Sequence, residues 1–388
     1  FIDKVTGSGV TLYAHPREAR ETRNSLDAYL AGKLHLGGRE HDLTVGVSST
    51  RTISKSDAFA STSSWRHDIA NVHTWDGSAP KPAVSKTGAR NDTLVQQTGL
   101  YASARWRLTE PLSLLTGARV TRWTSKQKNY DTSGALSGVS ARQEVKHKVS
   151  PYLGVVYNIT PSLAAYASHT RIFNPQNYRD VNNVPLKPAV GSNSEVGLKM
   201  ALAHELDLNL AIFETKQDNF AVVNADAAPN SLPDGSTPYR TVDGTKGKGF
   251  DVELIGKVQP DWNLKVALTR AKVTRQESDR LWANFPTWQL QLGSDYRFSG
   301  ELRPLQLGGF LTWQSKLEAY NVPSPSGRVY VTEKSKPLLD LYASWDFTDA
   351  YRLTLAVTNA LDKKYWANLD YANYGQPRFF SATFRMTF

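Results

Sequence analysis

The side chains of this 388-residue chain that could do chemistry are eight histidines, a basic glycine-rich hexapeptide and scattered hydroxyls and carboxylates; there is no cysteine. His67 and His73 share one polar stretch with Trp65 and Trp75, a grouping in which an exposed imidazole could ligate a haem iron. Both read as solvated loop histidines. His35, His41, His147, His169 and His204 lie on or beside predicted strands and form no close metal-ligand spacing. Gly244-Thr245-Lys246-Gly247-Lys248-Gly249 lacks the spacing of a phosphate-binding loop and leads into a strand, not a helix, so it reads as a loop end. No serine, histidine and carboxylate set stands at a recognisable catalytic spacing. Without cysteine there is neither a disulfide framework nor a thiolate metal site. The chain reads as a non-enzyme.

The elements that must position any functional group are strands. In residues 378–388, Phe380, Ala382, Phe384, Met386 and Phe388 alternate strictly with Ser381, Thr383, Arg385 and Thr387. Such a period of two makes a strand apolar on one face and polar on the other. The pattern recurs in Leu26, Ala28, Leu30, Leu34 and Leu36, in Leu100, Ala102, Ala104, Trp106 and Leu108, and in Leu206, Leu208, Leu210 and Ile212. It continues to Leu353, Leu355 and Val357, about fifteen strands in all. Only 40% of residues are hydrophobic and mean hydropathy is −0.44, so no stretch approaches the roughly 20 apolar residues that a spanning helix needs. A barrel hides its membrane signal because lumenal polar residues dilute the lipid-facing ones. The fold class predicted is all-β, a transmembrane antiparallel β-barrel.

Connector lengths predict its orientation. Short turns at 37–40, 109–111, 160–162, 203–205, 259–261, 299–303 and 348–350 alternate with long polar connectors at 56–92, 126–144, 173–190, 219–246, 276–284, 318–334 and 362–376. Outer-membrane barrels keep short turns in the periplasm and long loops outside. Trp106, Tyr157, Trp262, Phe298, Phe347 and Tyr351 cluster beside the short turns, where amphipathic rings suit a headgroup belt. Bacterial single-chain barrels have even strand numbers. An odd count, with a first complete strand near 22–36 running toward the periplasm, predicts that earlier strands are missing and that residues 1–388 are the C-terminal part of a larger barrel.

Two segments carry a resemblance. Lys148-Val149-Ser150-Pro151-Tyr152 with residues 166–176 and 187–199, and the closing Asn359-Ala360-Leu361-Asp362-Lys363-Lys364-Tyr365-Trp366 with Tyr374-Gly375-Gln376-Pro377-Arg378, resemble the TonB-dependent ferric-siderophore receptors. The chain is most similar to their hydroxamate and pyoverdine branch, typified by the coprogen and rhodotorulic acid receptor. The resemblance implies a 22-stranded barrel around an N-terminal plug, of which the plug, the TonB box and the first strands are absent from these residues. It implies import of a ferric siderophore energised by the TonB complex. The iron arrives fully coordinated, so no cofactor or protein metal ligand is expected.

Recognition in such a receptor needs aromatic faces and a few cations at the extracellular mouth. The candidates are Arg51, Trp65, Arg66, Trp75, Tyr130, Tyr178, Trp282, Tyr320, Tyr330, Trp366 and Tyr374. Haem receptors carry a Phe-Arg-Ala-Pro segment, and the corresponding stretch here reads Thr170-Arg171-Ile172-Phe173-Asn174-Pro175. Cobalamin or carbohydrate receptors share the architecture and remain alternatives. A passive porin of about sixteen strands is the rival from another class. The net charge of +10 is scattered and accompanied by no nucleic-acid motif. It fits either steering of an anionic chelate or contact with lipopolysaccharide phosphates beside the outer-membrane lipid.

Overall fold

The structure is a computed structural model and describes residues 6–388 apart from 63, 203–204, 234, 275–284, 325–326 and 370–372. Four short two-stranded sheets stand apart from the main sheet among the described residues. They pair β1 (Val10–Tyr13) with β4 (Arg66–Ile69), β11 (Phe220–Val223) with β12 (Tyr239–Val242), β17 (Leu317–Ser324) with β18 (Gly327–Glu333), and β21 (Trp366–Asn368) with β22 (Asn373–Tyr374). The other strands form one fifteen-stranded antiparallel sheet in chain order. It begins with β2 (Glu18–Leu36), β3 (Arg39–Phe59), β5 (Lys86–Arg107), β6 (Leu112–Tyr130), β7 (Leu136–Thr160), β8 (Leu163–Asn174), β9 (Ala189–Leu202) and β10 (Leu206–Asp218). It continues through β13 (Thr245–Gln259), β14 (Trp262–Thr274), β15 (Trp288–Arg297), β16 (Leu305–Gln314), β19 (Lys336–Thr348) and β20 (Tyr351–Thr358) to β23 (Phe379–Met386). Among the described residues β2 pairs only with β3, and β23 only with β20. No described helix is long and apolar enough to cross a membrane.

Register sorts every strand into two faces. Leu30, Val45, Ala102 and Ala118 lie on one line across four strands, and Leu198, Leu210, Val252, Leu268 and Leu290 on another. Leu30 is 83% exposed, Leu100 65%, Ile212 63% and Phe380 72%. Apolar side chains so bare along a whole sheet face belong against lipid. At the short-turn end of this outer face the indole N–H of Trp106 donates to Thr116 Oγ1 at 2.9 Å, and that of Trp262 to Ser294 Oγ at 2.9 Å. Tyr351 stacks on Phe384 with centroids 6.0 Å apart. Rings with one polar tip satisfied and one apolar face bare suit a membrane interface.

The opposite, lumenal face is polar and cross-linked. Tyr101 donates to Asp27 at 2.9 Å, Tyr166 to Glu195 at 2.6 Å, and Arg119 to Ser48 at 2.6 Å. Tyrosine rings lie flat across glycines directly opposite them on the neighbouring strand: Tyr101 on Gly46, Tyr152 on Gly117, Tyr166 on Gly197 and Tyr342 on Gly308. A Cβ at Gly308 would sit 2.3 Å from the Tyr342 ring, so only glycine admits this close approach.

The long connectors are shorter than the hydropathy pattern predicts. β3 runs on to Phe59, β5 starts at Lys86, and β6 and β7 reach Tyr130 and Leu136, leaving a five-residue turn where a connector of nineteen residues, 126–144, is expected. Beyond the membrane an outward position no longer needs an apolar side chain. Backbone pairing therefore continues through polar residues while the alternation that reveals it stops.

Candidate functional site

The long connectors carry three aromatic groups. In the first, β4 pairs with β1, and the Arg66 guanidinium lies 6.0 Å from the Tyr13 ring centroid. Arg66 also donates to the Trp65 carbonyl at 2.8 Å, and Trp75 donates its indole N–H to the Ser78 carbonyl at 2.7 Å. Asp76 caps the same turn, and hydrogen bonds from the Ser78 side chain and then from its N–H lower the Asp76 carboxyl pKa.

The second group joins the β8–β9 and β10–β13 connectors. Tyr178 stacks on Tyr239 with centroids 4.1 Å apart and planes 26° from parallel. The Tyr239 N–H donates to the Arg179 carbonyl at 2.7 Å, and Gln176 donates to the Asn219 carbonyl at 2.8 Å, tying the two connectors together. Tyr178 keeps 43% of its surface exposed, so its free ring face remains available.

The third group stands at the tops of β16, β19 and β20. Trp366 stacks on Tyr374 at 4.4 Å and 21°, and is itself buried against Leu317 and Leu369. Buried Lys336 donates to the Trp366 carbonyl at 2.8 Å and lies 4.2 Å from the Tyr365 ring centroid. Asn359 closes this connector at its base, donating to the carbonyls of Lys363 and Gln376 at 3.0 Å each. Asp362 accepts the Arg378 N–H and pairs with its guanidinium at 3.1 Å, and these contacts lower its carboxyl pKa.

The structure thus places Trp65, Arg66, Trp75, Tyr178, Trp366 and Tyr374 in connectors at the long-loop end, but in different groups and with unequal freedom. Tyr374 and Tyr178 present exposed faces; Trp366 serves as the buried floor beneath Tyr374. Arg51 and Tyr130 stand elsewhere. Arg51 is on the face of Val45 and Val47, and Tyr130 on the face of Val120, so both point outward, away from the lumen. Arg90 covers the Tyr130 ring at 4.3 Å on that outer side. Counting by twos from the apolar residues would have shown this. Trp282 and the side chains of Tyr320 and Tyr330 lie outside the described residues. Tyr13, Tyr239, Tyr365 and Lys336 belong to these groups without having been expected. Tyr239 had no sequence signal, since its stacking partner lies sixty-one residues away.

Below the mouth, charged lumenal clusters sit at the short-turn end. Lys33 bridges Glu40 at 2.9 Å and Asp42 at 2.8 Å, and Arg107 meets Asp42 at 2.8 Å. Asp346 is clamped between Arg352 and Arg297, the latter at 2.8 Å. A sheet with apolar exterior, polar lumen and elaborated mouth is a scaffold for passage and capture.

The model of the TonB dependent receptor-like β-barrel matches residues 4–360. The chain belongs to the TonB-dependent receptor β-barrel family. This membership makes it a barrel of the Gram-negative outer membrane, and the relatives that it matches are receptors rather than enzymes. It is 32% identical over 386 residues to the ferric-pyoverdine 358 receptor of Pseudomonas putida, covering 95% of this chain and 44% of that protein. It is 32% identical to the ferripyoverdine receptor of Pseudomonas aeruginosa over 92% of this chain and 43% of that one. A solved pyoverdine outer-membrane receptor of Pseudomonas aeruginosa, bound to pyoverdine, superposes with a TM-score of 0.84 at 28% identity, over 97% of this chain and 55% of that one. The chain spans about half the length of these relatives.

Proposed function

We propose that this TonB-dependent receptor barrel captures a ferric siderophore of hydroxamate or pyoverdine type for TonB-driven import. The observation that carries the reading is the similarity along nearly the whole chain to receptors for ferric pyoverdine, a bulky, polar, already coordinated iron complex. Stacked rings with one free face suit such a ligand, and the iron needs no donor from the protein. In this reading Tyr178 and Tyr374 offer contact faces, Trp75, Trp65 and Arg66 supply the opposite rim, and Trp366 supports Tyr374 from beneath. Trp282, Tyr320 and Tyr330 join the rim as candidates on sequence grounds. The edges of β2 and β23, unpaired among the described residues, receive further strands from a longer polypeptide, and its plug fills the lumen and answers to TonB.

The test is uptake of radioiron by cells that express the complete gene in the outer membrane. Ferric pyoverdine or a ferric hydroxamate should accumulate while the inner membrane is energised. Collapse of the proton gradient should abolish accumulation without abolishing surface binding. Binding of neither chelate, or uptake indifferent to the proton gradient, defeats the proposal. Tyr178→Ala and Tyr374→Ala should weaken chelate binding by about tenfold each, on the scale of a lost stacking contact.

A further inference from the structure

Beyond the membrane each long strand faces water on both sides, yet charge is confined to one of them. Across β3, β5 and β6 three successive inward rows read Thr52, Val95 and Ser125, then Ser54, Thr93 and Gln127, then Ser56, Asn91 and Asn129. None of the nine is ionisable, and all but Val95 carry a hydroxyl or an amide. The outward positions interleaved with them include Lys55, Asp57, Arg90, Asp92, Lys126 and Lys128. Ser125 and Gln127 lie thirteen and fifteen residues beyond Leu112 at the short-turn end. At about 3.4 Å per residue and a strand tilt near 40°, that is roughly 34 and 39 Å, clear of an apolar band about 25 Å tall. The three rows therefore line the extracellular vestibule.

A second arc is sorted in the same way. Across β8, β9, β10 and β13 the two inward rows above Glu195 read Thr170, Asn193, Thr215 and Gly247, then Ile172, Gly191, Gln217 and Thr245. Charges border the first wall without entering it. At its β2 edge Arg23 and Glu21 pair with each other at 3.1 Å. At its foot Arg119 donates to Ser48 Oγ at 2.6 Å and to Thr121 Oγ1 at 3.2 Å, and Lys148 stands opposite Thr121 on β7. Within the wall Gln127 donates to Asn129 at 2.9 Å, whereas the hydroxyls of Thr52, Ser54 and Thr93 have no partner among the described residues.

On the reading of the chain as a ferric-siderophore receptor, we propose that the wall of β3, β5 and β6 is a ligand subsite set by charge. It seats the amide-bearing periphery of a chelate of low net charge and turns away strongly anionic chelates. Hydroxyls and amides both donate and accept, so they match the N–H and C=O groups of peptide and hydroxamate arms. Three hydroxamates neutralise the ferric ion, whereas three catecholates leave a triply anionic complex. Such an anion would lose water against a surface that offers it no cation, a cost the neutral complex escapes. The net positive charge of the chain does not line this wall and cannot offset that cost here.

The experiment titrates the complete receptor, purified in detergent, with three probes: ferric pyoverdine, a neutral ferric trihydroxamate on a cyclic peptide, and a triply anionic ferric tricatecholate. The wild type should bind the trihydroxamate at least about tenfold tighter than the tricatecholate. Thr52→Lys, Ser54→Lys and Thr93→Lys combined should raise tricatecholate affinity by about tenfold or more and erase that preference. Glutamine at the same three positions should keep it, which separates charge from bulk. A wild type that binds the tricatecholate as tightly as the trihydroxamate, a lysine variant that gains no tricatecholate binding, or a glutamine variant that loses the preference would each overturn the subsite. If the wild type binds ferric pyoverdine but fails one of these tests, the chain is a siderophore receptor without this subsite. If it binds none of the three chelates, neither the subsite nor the receptor function stands.

Discussion

The outer and lumenal faces of this sheet are built from the same strands and alternate residues, yet they are held by opposite means. The outer face has almost no cross-strand polar contacts at mid-height; its Leu30, Ile212 and Phe380 are bare and depend on lipid. The lumenal face carries the tyrosine-on-glycine packings, the Tyr101–Asp27 and Tyr166–Glu195 hydrogen bonds and the Asp346 clamp. Stability on one face comes from solvation by hydrocarbon, and on the other from fixed contacts between side chains. Neighbouring residues on one strand should therefore respond very differently to the same substitution.

The largest effect should come from putting a charge on the outer face. Leu210→Arg, between Leu198 and Val252, should destabilise the receptor by about 2–4 kcal/mol in liposomes. Asn209→Arg, one residue away on the lumenal face between Lys199 and Glu253, should cost well under half as much in the same denaturant titration. Equal costs would mean that the faces are misassigned.

Next in size is overpacking of the lumen. Gly308→Ala should cost about 1–3 kcal/mol because the new methyl meets the Tyr342 ring. Since ring atoms are the nearest obstacle, Tyr342→Ala should remove much of that cost. A double-mutant cycle in which the two penalties simply add would show that the ring does not rest on the glycine.

A smaller loss is expected from the clamp. Asp346→Ala leaves Arg297 and Arg352 without their shared acceptor and should cost about 1 kcal/mol, modest because all three groups are partly solvated. The loss should shrink in high salt, whereas that of Leu210→Arg should not.

The smallest effect concerns pH at the mouth. The folded pKa of Asp362 lies below its ordinary value, so its contribution is present above that ordinary value and fades as pH falls through the depressed one. Hydrogen exchange at the Arg378 N–H should accelerate beyond its intrinsic pH trend on acidification. In Asp362→Asn that extra acid sensitivity should vanish.

Much of this was legible in the sequence. The fifteen strands, their faces and the short turns follow from a period of two, which a membrane imposes on every crossing. The strand extensions above the membrane were hidden because the constraint that writes the pattern ends there. Arg51 and Tyr130 were legible and misjudged: their parity with Val47 and Val120 already set them on the outer face. Lys246 and Lys248 read as a loop end until pairing with Lys216 and Lys272 gave them neighbours.

The sequence by itself determined the period, the polarity of each face and the alternation of short turns with long connectors, because these are local consequences of backbone geometry and solvent. Only the tertiary structure decided which distant residues meet: Tyr178 with Tyr239, Trp366 with Tyr374, and Arg297 with Asp346. Such meetings depend on register between strands. Register is set by the sum of many cross-strand contacts and the turns that join them, and no single stretch of sequence contains that sum.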